Sequence, residues 1–321
     1  MMYTNDFVKK QILIYEPYKG DKISYQNDNL VIRDANKQIK YQASCYRIFI
    51  LMIIGDTTIT TGILRRIQKF GFYICFMTMG LKVYSTIGIG MQGNTLLHQK
   101  QYDYKGLDIA RHIIINKIQN QKNTLCRMRS KTEYVKEAIP MLDAYKMRLY
   151  DDSLSMQEII GIEGMASKLY FPRVFNNTKW KGRKPRIKFD YINALLDIGY
   201  NILFNFIEAI LNVFGFDIYM GVLHTCFYMR KSLVCDIMEP FRPIIDWQIR
   251  KSINLEQFKE KDFVVFNHQY TLEYQKSTQY TQILFAAILE YKEDIFVYIR
   301  DYYRAVMKEK TIDEYPVFVM E

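Results

Sequence analysis

Up to about residue 92 the apolar positions come in short runs: QILIYEP, KISYQ, NLVIRD, QIKYQASC and RIFILMIIG. These runs are rich in Ile, Val and Tyr, which suit a pleated surface. Turn formers separate them at Gly20-Asp21, Asn27-Asp28-Asn29 and Asp34-Ala35-Asn36. The pattern predicts a series of strands. GDTTITTGILRRIQKFG predicts a strand or turn entering a short helix that stops at Gly71, FYICFMTM a buried strand, and KVYSTIG a further one.

Beyond Gly88–Asn94 (GIGMQGN) the period changes. That passage has neither the spacing of a dinucleotide-binding glycine loop nor the Lys-Ser/Thr of a P-loop, so it reads as a linker. In YKGLDIARHIIINKIQNQKNTLCRM the residues Leu107, Ala110, Ile114 and Ile118 fall on one helical stripe. YVKEAIPMLDAYKMRL, SMQEIIGIEGMASKLYFPRVF, YINALLDIGYNILFNFIEAILNVFG, IIDWQIRKSI and TQYTQILFAAILEYKEDIFVYIRDYYRAVMKE read the same way. The predicted fold class is α+β: a small β-rich domain over residues 1–92, a linker over 93–100, and a larger all-α domain over 101–321 that carries the chemistry.

Charge narrows the function classes. The 321 residues hold 44 Lys plus Arg against 34 Asp plus Glu, a formal charge of +10. A polyanionic partner follows, nucleic acid or an acidic membrane surface, with a proteome-wide lysine bias as the plain alternative. A local cluster therefore carries more than the total. Arg173–Lys188 (RVFNNTKWKGRKPRIK) is such a cluster, with Arg173, Lys179, Lys181, Arg183, Lys184, Arg186 and Lys188, no acid, and Trp180 in their midst. Basic groups around an exposed aromatic suit a surface that follows a nucleic-acid backbone and stacks a base. The competing reading is a solvated loop.

The five cysteines are scattered and form no CxxC pair, which argues against a disulfide framework or a zinc ribbon and for a reduced, cytoplasmic protein. The segment MMYTNDFVKKQ lacks the apolar core of a signal peptide. IFILMIIG is too short to cross a membrane, and Tyr191–Leu223 is interrupted by polar residues, so no membrane role is expected.

Candidate chemistry sits in Gly221–Pro243 (GVLHTCFYMRKSLVCDIMEPFRP), where His224, Asp236 and Glu239 stand among apolar and basic residues. On one unbroken helix His224 and Glu239 would lie about 22 Å apart. The MRKS break, Ser232 as an N-cap and Pro240 as a stop instead predict a hairpin that returns His224 beside Asp236 and Glu239, two acids sharing one face. Ion pairs of the acids with Arg230, Lys231 or Arg242 are the alternative. A thiolate zinc site of His224, Cys226 and Cys235 matches no common module. Upstream, Glu163 is the lone charge among Ile159, Ile160, Ile162 and Met165, flanked by Gly161 and Gly164. The other histidines, His98, His112 and His268, have no ligand-like neighbours.

EGMASKLYF, the basic loop leading into FDYINALLDIGYNIL, and GFDIYMGVLHTCFYMRKSLVCDIMEPFRP follow one another in an order and spacing that resembles the CRISPR adaptation integrase, the first of the two universal CRISPR-associated proteins. NDNLVIRD, GDTTITTGILRRIQKFGF and GNTLLHQKQY resemble that family's β domain and its entry into the helical one. The resemblance covers nearly the whole chain.

It implies a catalytic set of Glu163, His224, Asp236 and Glu239, with Glu163, His224 and Glu239 as ligands of Mg²⁺ or Mn²⁺; many relatives carry Asp where Glu239 stands. Arg242 matches a basic position after the motif and joins the basic cluster as a DNA-binding candidate, and Asn193 matches an Asn after the loop. The implied activity is DNA cleavage and the insertion of short DNA fragments into a CRISPR array by attack of a 3′-hydroxyl, with no covalent enzyme intermediate. The implied partners are double-stranded DNA, a second copy of the chain, and the small universal adaptation protein, which bridges two dimers. The apolar stretch Tyr46–Gly55 is the expected dimer contact. The rival from another class is a non-catalytic basic scaffold on DNA or a membrane surface.

Overall fold

A computed structural model describes residues 7–79, 83–88, 94–129, 131–184, 187–224 and 227–320. The chain divides into two compact units, Met1–Asn94 with Glu208–Phe216, and Thr95–Ile207 with Asp217–Glu321. The first is β-rich and the second mainly helical, as the change of period at the glycine-rich passage requires.

In the first unit, strands β1 (Gln11–Tyr15), β5 (Ile48–Ile54), β7 (Tyr73–Met77) and β8 (Val83–Ile87) form one sheet in that order. β1, β5 and β7 run parallel, and β8 runs antiparallel to β7. The second sheet has the order β4 (Ile39–Ser44), β3 (Asn29–Arg33), β2 (Lys22–Gln26), β6 (Thr58–Ile59). Helix α1 (Thr61–Phe70) buries Ile63, Ile67 and Phe70 along one stripe, and Gly71 ends it at φ 66°, a left-handed conformation that favours glycine.

The unbroken run IFILMII of β5 is buried at all seven positions, the signature of a central strand covered on both faces. This corrects the expected dimer contact: β5 is core, with Ile48, Leu51 and Ile53 packed among Ile23, Ile32, Ile67 and Ile74. Exposed apolar groups of this unit include Ile39 and Tyr41 on the edge strand β4, and Tyr46, Tyr18 and Tyr84 elsewhere.

The second unit opens with α2 (Thr95–Asp103), which takes up residues expected to be linker. Leu97 is buried on it, and Gln101 exchanges hydrogen bonds with the backbone of Asp217, which fixes the helix. The hub is α3 (Asp108–Arg127). It packs against α5 (Ala138–Arg148), which follows the single turn α4 (Glu133–Lys136), against α6 (Met156–Val174), and against a 3₁₀ turn, Glu239–Phe241. α6 begins with a reciprocal capping box: the Ser155 hydroxyl accepts from the Glu158 amide, and Glu158 Oε2 accepts from the Ser155 amide at 2.8 Å.

α7 (Tyr191–Phe214) is the one described helix long and apolar enough to cross a membrane, but 78% of its most apolar window is buried within the protein, as in a core helix. Then come α8 (Ser232–Met238), α9 (Arg242–Asn254), a hairpin of β9 (Phe263–Phe266) and β10 (Gln269–Leu272), and helices α10 (Tyr274–Glu290) and α11 (Lys292–Lys308). The hairpin is an addition to the predicted all-helical pattern. The last long apolar stretch is two helices rather than one, broken at Tyr291.

Candidate active site

All described candidate residues of the chemistry lie in the second unit. α3, α6 and the 3₁₀ turn after α8 each bring one charged group to a common point: Lys117, Glu163 and Glu239. Lys117 Nζ contacts Oε1 of Glu163 and lies 2.6 Å from Oε2 of Glu239. The Ser167 hydroxyl, one turn along α6, donates to Glu163 Oε1 at 2.8 Å. Arg242 Nε stands 3.0 Å from Glu239 Oε2. Pro240 sets the local geometry: the α-helix passes into a 3₁₀ turn at Glu239, and α9 starts at Arg242, so acid and arginine face each other three residues apart.

Burial makes these charges interdependent. Glu239 is 4% exposed and Lys117 7%. Burial alone would raise the Glu239 carboxyl, but Arg242 and then Lys117 outweigh it and hold its pKa at about 2. Burial likewise works against ionised Glu163, and Lys117 overcomes both that and repulsion from Glu239, leaving its pKa below the ordinary value. The two carboxylates in turn raise the ammonium of Lys117 against burial.

One atom is poorly served. Neither cation beside Glu239 Oε2 is aligned as a hydrogen bond, so this buried oxygen has close charges but no directional donor. A carboxylate oxygen in that condition suits a cation, which asks for proximity rather than donor alignment.

His224 is organised by a separate device. The loop Gly221–His224 wraps the buried carboxylate of Asp236. Oδ2 accepts from the amides of Val222 and Leu223 at 2.6 and 3.0 Å, and Oδ1 from the amide of His224 at 3.0 Å. His224 Nδ1 lies 2.6 Å from the same Oδ1. The predicted hairpin is thus present, with one shift: Ser232 is the first residue of α8, and Lys231 precedes it as the cap, its side chain making no capping bond to the helix. His224 also helps to hold the Glu239 carboxyl below its ordinary value.

The expected convergence of Glu163, His224 and Glu239 on one point takes a different form. Among the described residues no three His, Cys, Asp or Glu side chains stand together as a metal cluster. The two glutamates meet through Lys117 instead, and His224 is turned to Asp236. The donor set still fits a hard divalent ion, because two carboxylates from separate helices already flank one cation position. Cys226, needed for the zinc alternative, lies outside the described residues.

The basic segment is more committed than its composition implies. Lys179 pairs with Glu260 at 2.6 Å, and Arg183 with Asp197 at 3.0 Å. Arg173 lies over the Tyr134 ring and donates to the carbonyls of Tyr134 and Leu169. Trp180 is a correction: its ring is half-buried against Phe171 and Phe175 rather than exposed, because a large apolar indole gains more from packing than from solvent. Buried Asn193 knits the loop, accepting from the Arg183 side chain and the Lys184 amide and donating to the Gly182 carbonyl. The Lys188 carbonyl accepts from the Tyr270 amide of the β9–β10 hairpin. Lys181 and Lys184 are exposed, and Arg186 lies outside the described residues. Arg242 faces Glu239 and the Tyr200 ring.

Sequence reasoning missed Lys117 and Asn120. Lys117, Gln121 and Thr124 recur at helical spacing, as do Asn116, Asn120 and Asn123, so α3 carries two polar stripes within an apolar-rich helix. Polar residues at core spacing are the signal that could have found them.

A family model described as CRISPR associated protein Cas1 matches residues 14–284. A CRISPR-associated endonuclease Cas1 of Thermodesulfovibrio yellowstonii is 28% identical over 230 residues, 67% of this chain and 71% of that protein. Among solved structures, a Cas6-RT-Cas1–Cas2 complex superposes with TM-score 0.79 at 20% identity over 98% of this chain, which spans only 36% of that longer polypeptide. A casposase bound to integration product gives 0.74 at 19% identity over 97% of this chain and 96% of that one. The structural likenesses concern the fold.

Proposed function

The chain belongs to the Cas1 family, and from that premise we propose that it is a metal-dependent DNA endonuclease and integrase of CRISPR adaptation. The observation that carries the reading is the pair Glu163 and Glu239, two buried or half-buried carboxylates from separate elements flanking one cation position, with His224, oriented by Asp236, as the third expected ligand. The relatives' description as endonucleases and the casposase's integration product support it.

In the proposed reaction a DNA 3′-hydroxyl oxygen forms a bond to phosphorus, and the bond to one oxygen of the attacked strand breaks. With water as nucleophile the same site cleaves DNA. Glu163, Glu239 and His224 would hold Mg²⁺ or Mn²⁺, which would lend acidity to the attacking hydroxyl and offset charge on the phosphate. Asp236 holds the His224 ring so that Nε2 is left as the free donor. Arg242 keeps Glu239 ionised and in place.

Insertion of a fragment needs two joining events on opposite strands. We therefore assign the chain a homodimeric state, working with double-stranded DNA and a small partner protein of the Cas2 kind that bridges two dimers, in the cytoplasm. The exposed edge strand β4, with Ile39 and Tyr41, is the candidate dimer contact in place of β5. The test is joining of a labelled DNA fragment to a supercoiled array plasmid by the purified protein with its partner and each metal. Glu163→Gln should abolish joining while the protein stays folded; full joining by that variant ends the reading.

A further inference from the structure

Lys117 is the one charged group of the site that the metal-centred reading leaves without a task. It projects from the middle of α3, is nine-tenths buried, and touches both carboxylates at once. A buried ammonium is costly unless paired, and here two acids compensate it. The charged groups facing it are Glu163, Glu239 and Arg242. With Asp236 included and His224 neutral, three negative and two positive charges meet, for a net charge of −1. Removing Lys117 would make it −2.

The site is also asymmetric. The Glu239 side chain is 5% exposed and that of Glu163 is 26% exposed, so solvent reaches it from the Glu163 side. An ion arriving from that side meets Glu163 first, with the Lys117 ammonium between it and Glu239.

Building on the proposed metal-dependent reading, we infer that Lys117 sets the affinity of the site for divalent ions: its ammonium and the metal contend for the same two carboxylates, so metal enters by exchange with the ammonium rather than by simple addition. The four-carbon stem of lysine makes this possible, since the ammonium can swing away while α3 stays packed. An arginine at this place would hold both acids with a rigid fork and exchange poorly.

The experiment is a titration with Mn²⁺ alone, without DNA, reading unbound ion by its paramagnetic resonance signal, with Glu239→Gln as the blank for ions bound elsewhere. Lys117→Met is expected to bind Mn²⁺ tighter than the unaltered protein by about tenfold or more, because one positive charge a few ångströms from the ion is gone. Equal or weaker binding by Lys117→Met overturns the exchange while leaving the metal centre standing. Binding no greater than the blank in both proteins overturns the metal reading itself and the exchange with it. A second measurement uses the unaltered protein and covers a variant that does not fold. Amine-reactive labelling of Lys117, read by peptide mass spectrometry, should be low without metal and rise several-fold in saturating Mg²⁺. Labelling that stays flat as Mg²⁺ saturates the site overturns the exchange.

Discussion

His224 presents Nδ1 to the carboxylate of Asp236, 2.6 Å from Oδ1. An ionised carboxylate only accepts, so in the neutral ring the proton sits on Nδ1 and the lone pair on Nε2. The same carboxylate holds three successive backbone amides, Val222 to His224, and thereby ties the ring's orientation to the fold of its own loop.

Asp236→Asn keeps the shape but has one acceptor oxygen for four donors, so its NH₂ must face N–H groups on one side. Loss of an outer-shell partner of this kind costs about 10–100-fold in metal affinity. Calorimetric Mn²⁺ titration should show that drop, and hydrogen exchange should show faster exchange at residues 222–224. Gly221→Ala should act in the same direction, since an added Cβ would stand 2.6 Å from Asp236 Oδ2 and 2.7 Å from Ser232 Cβ. Unchanged affinity in both variants would remove Asp236 from its orienting role.

Glu239 makes the fold acid-sensitive in a defined window. Its carboxyl falls from an ordinary 4.5 to about 2, with burial opposed and overcome by Arg242 and Lys117. A folded-state pKa below the unfolded one stabilises fully above the unfolded value and is lost as pH falls through the folded one. The contribution is on the order of 3 kcal/mol at neutral pH, present above about pH 4.5 and gone near pH 2. Urea unfolding of the protein and of Glu239→Gln from pH 7 to pH 2.5 should show a stability gap that narrows only below about pH 4.5. A gap that does not depend on pH would contradict the ion-pair account.

The legible parts of this molecule are those where one local pattern decides the answer. Short apolar runs between turn formers gave the strands, and the Ser232–Pro240 segment gave the turn that returns His224 to Asp236. The function of β5 was misjudged because an apolar strand reads alike whether its partner is a second sheet of the same unit or another molecule. Glu163 could be singled out as a lone charge on an apolar helix, but nothing within α6 names its partner. Lys117 lies 46 residues away on α3, and only packing brings the two together. Trp180 shows the reverse limit: a tryptophan among lysines looks exposed until Phe171 in the preceding helix and Phe175 just past its end are seen beneath it.

Asn120 joins the active-site turn to a distant segment. Fully buried, it donates to the carbonyls of Pro240 and Phe318 at 3.1 and 2.9 Å and accepts from the Met320 amide at 2.8 Å. Asn116 makes the adjoining pair of bonds to Phe318, and Phe318 and Met320 are buried beside them while Val317 and Val319 face out. Asn120→Ala removes the partner of the Pro240 carbonyl and of the Met320 amide, while the Phe318 carbonyl keeps its bond from Asn116, and at about 1 kcal/mol or more for each lost partner it should cost about 2 kcal/mol. Chemical denaturation should give the loss, and hydrogen exchange should show residues 316–320 opening first. Full stability in Asn120→Ala would mean that the segment is held by its apolar side chains alone.

The basic segment divides into charges ion-paired with an acid and charges exposed to solvent, and the division predicts which of them DNA feels. Lys179 and Arg183 spend their charge on Glu260 and Asp197, whereas Lys181 and Lys184 are exposed. Phosphate contacts fix affinity and register without reading sequence. Each one lost should flatten the dependence of log affinity on log salt by about 0.9 for duplex DNA. Lys181→Ala with Lys184→Ala should therefore weaken binding to every duplex alike and lower the slope by about 1.8 if both touch phosphate. Lys179→Ala should leave the slope almost unchanged, because removing it also frees Glu260. Arg183→Ala should act mainly on the loop, since Asn193 and Asp197 lose their shared partner, and its signature is a lower unfolding temperature. Fluorescence anisotropy of a labelled duplex across a salt series separates these cases. A slope that is the same for the double lysine variant and the unaltered protein would place the DNA on another face.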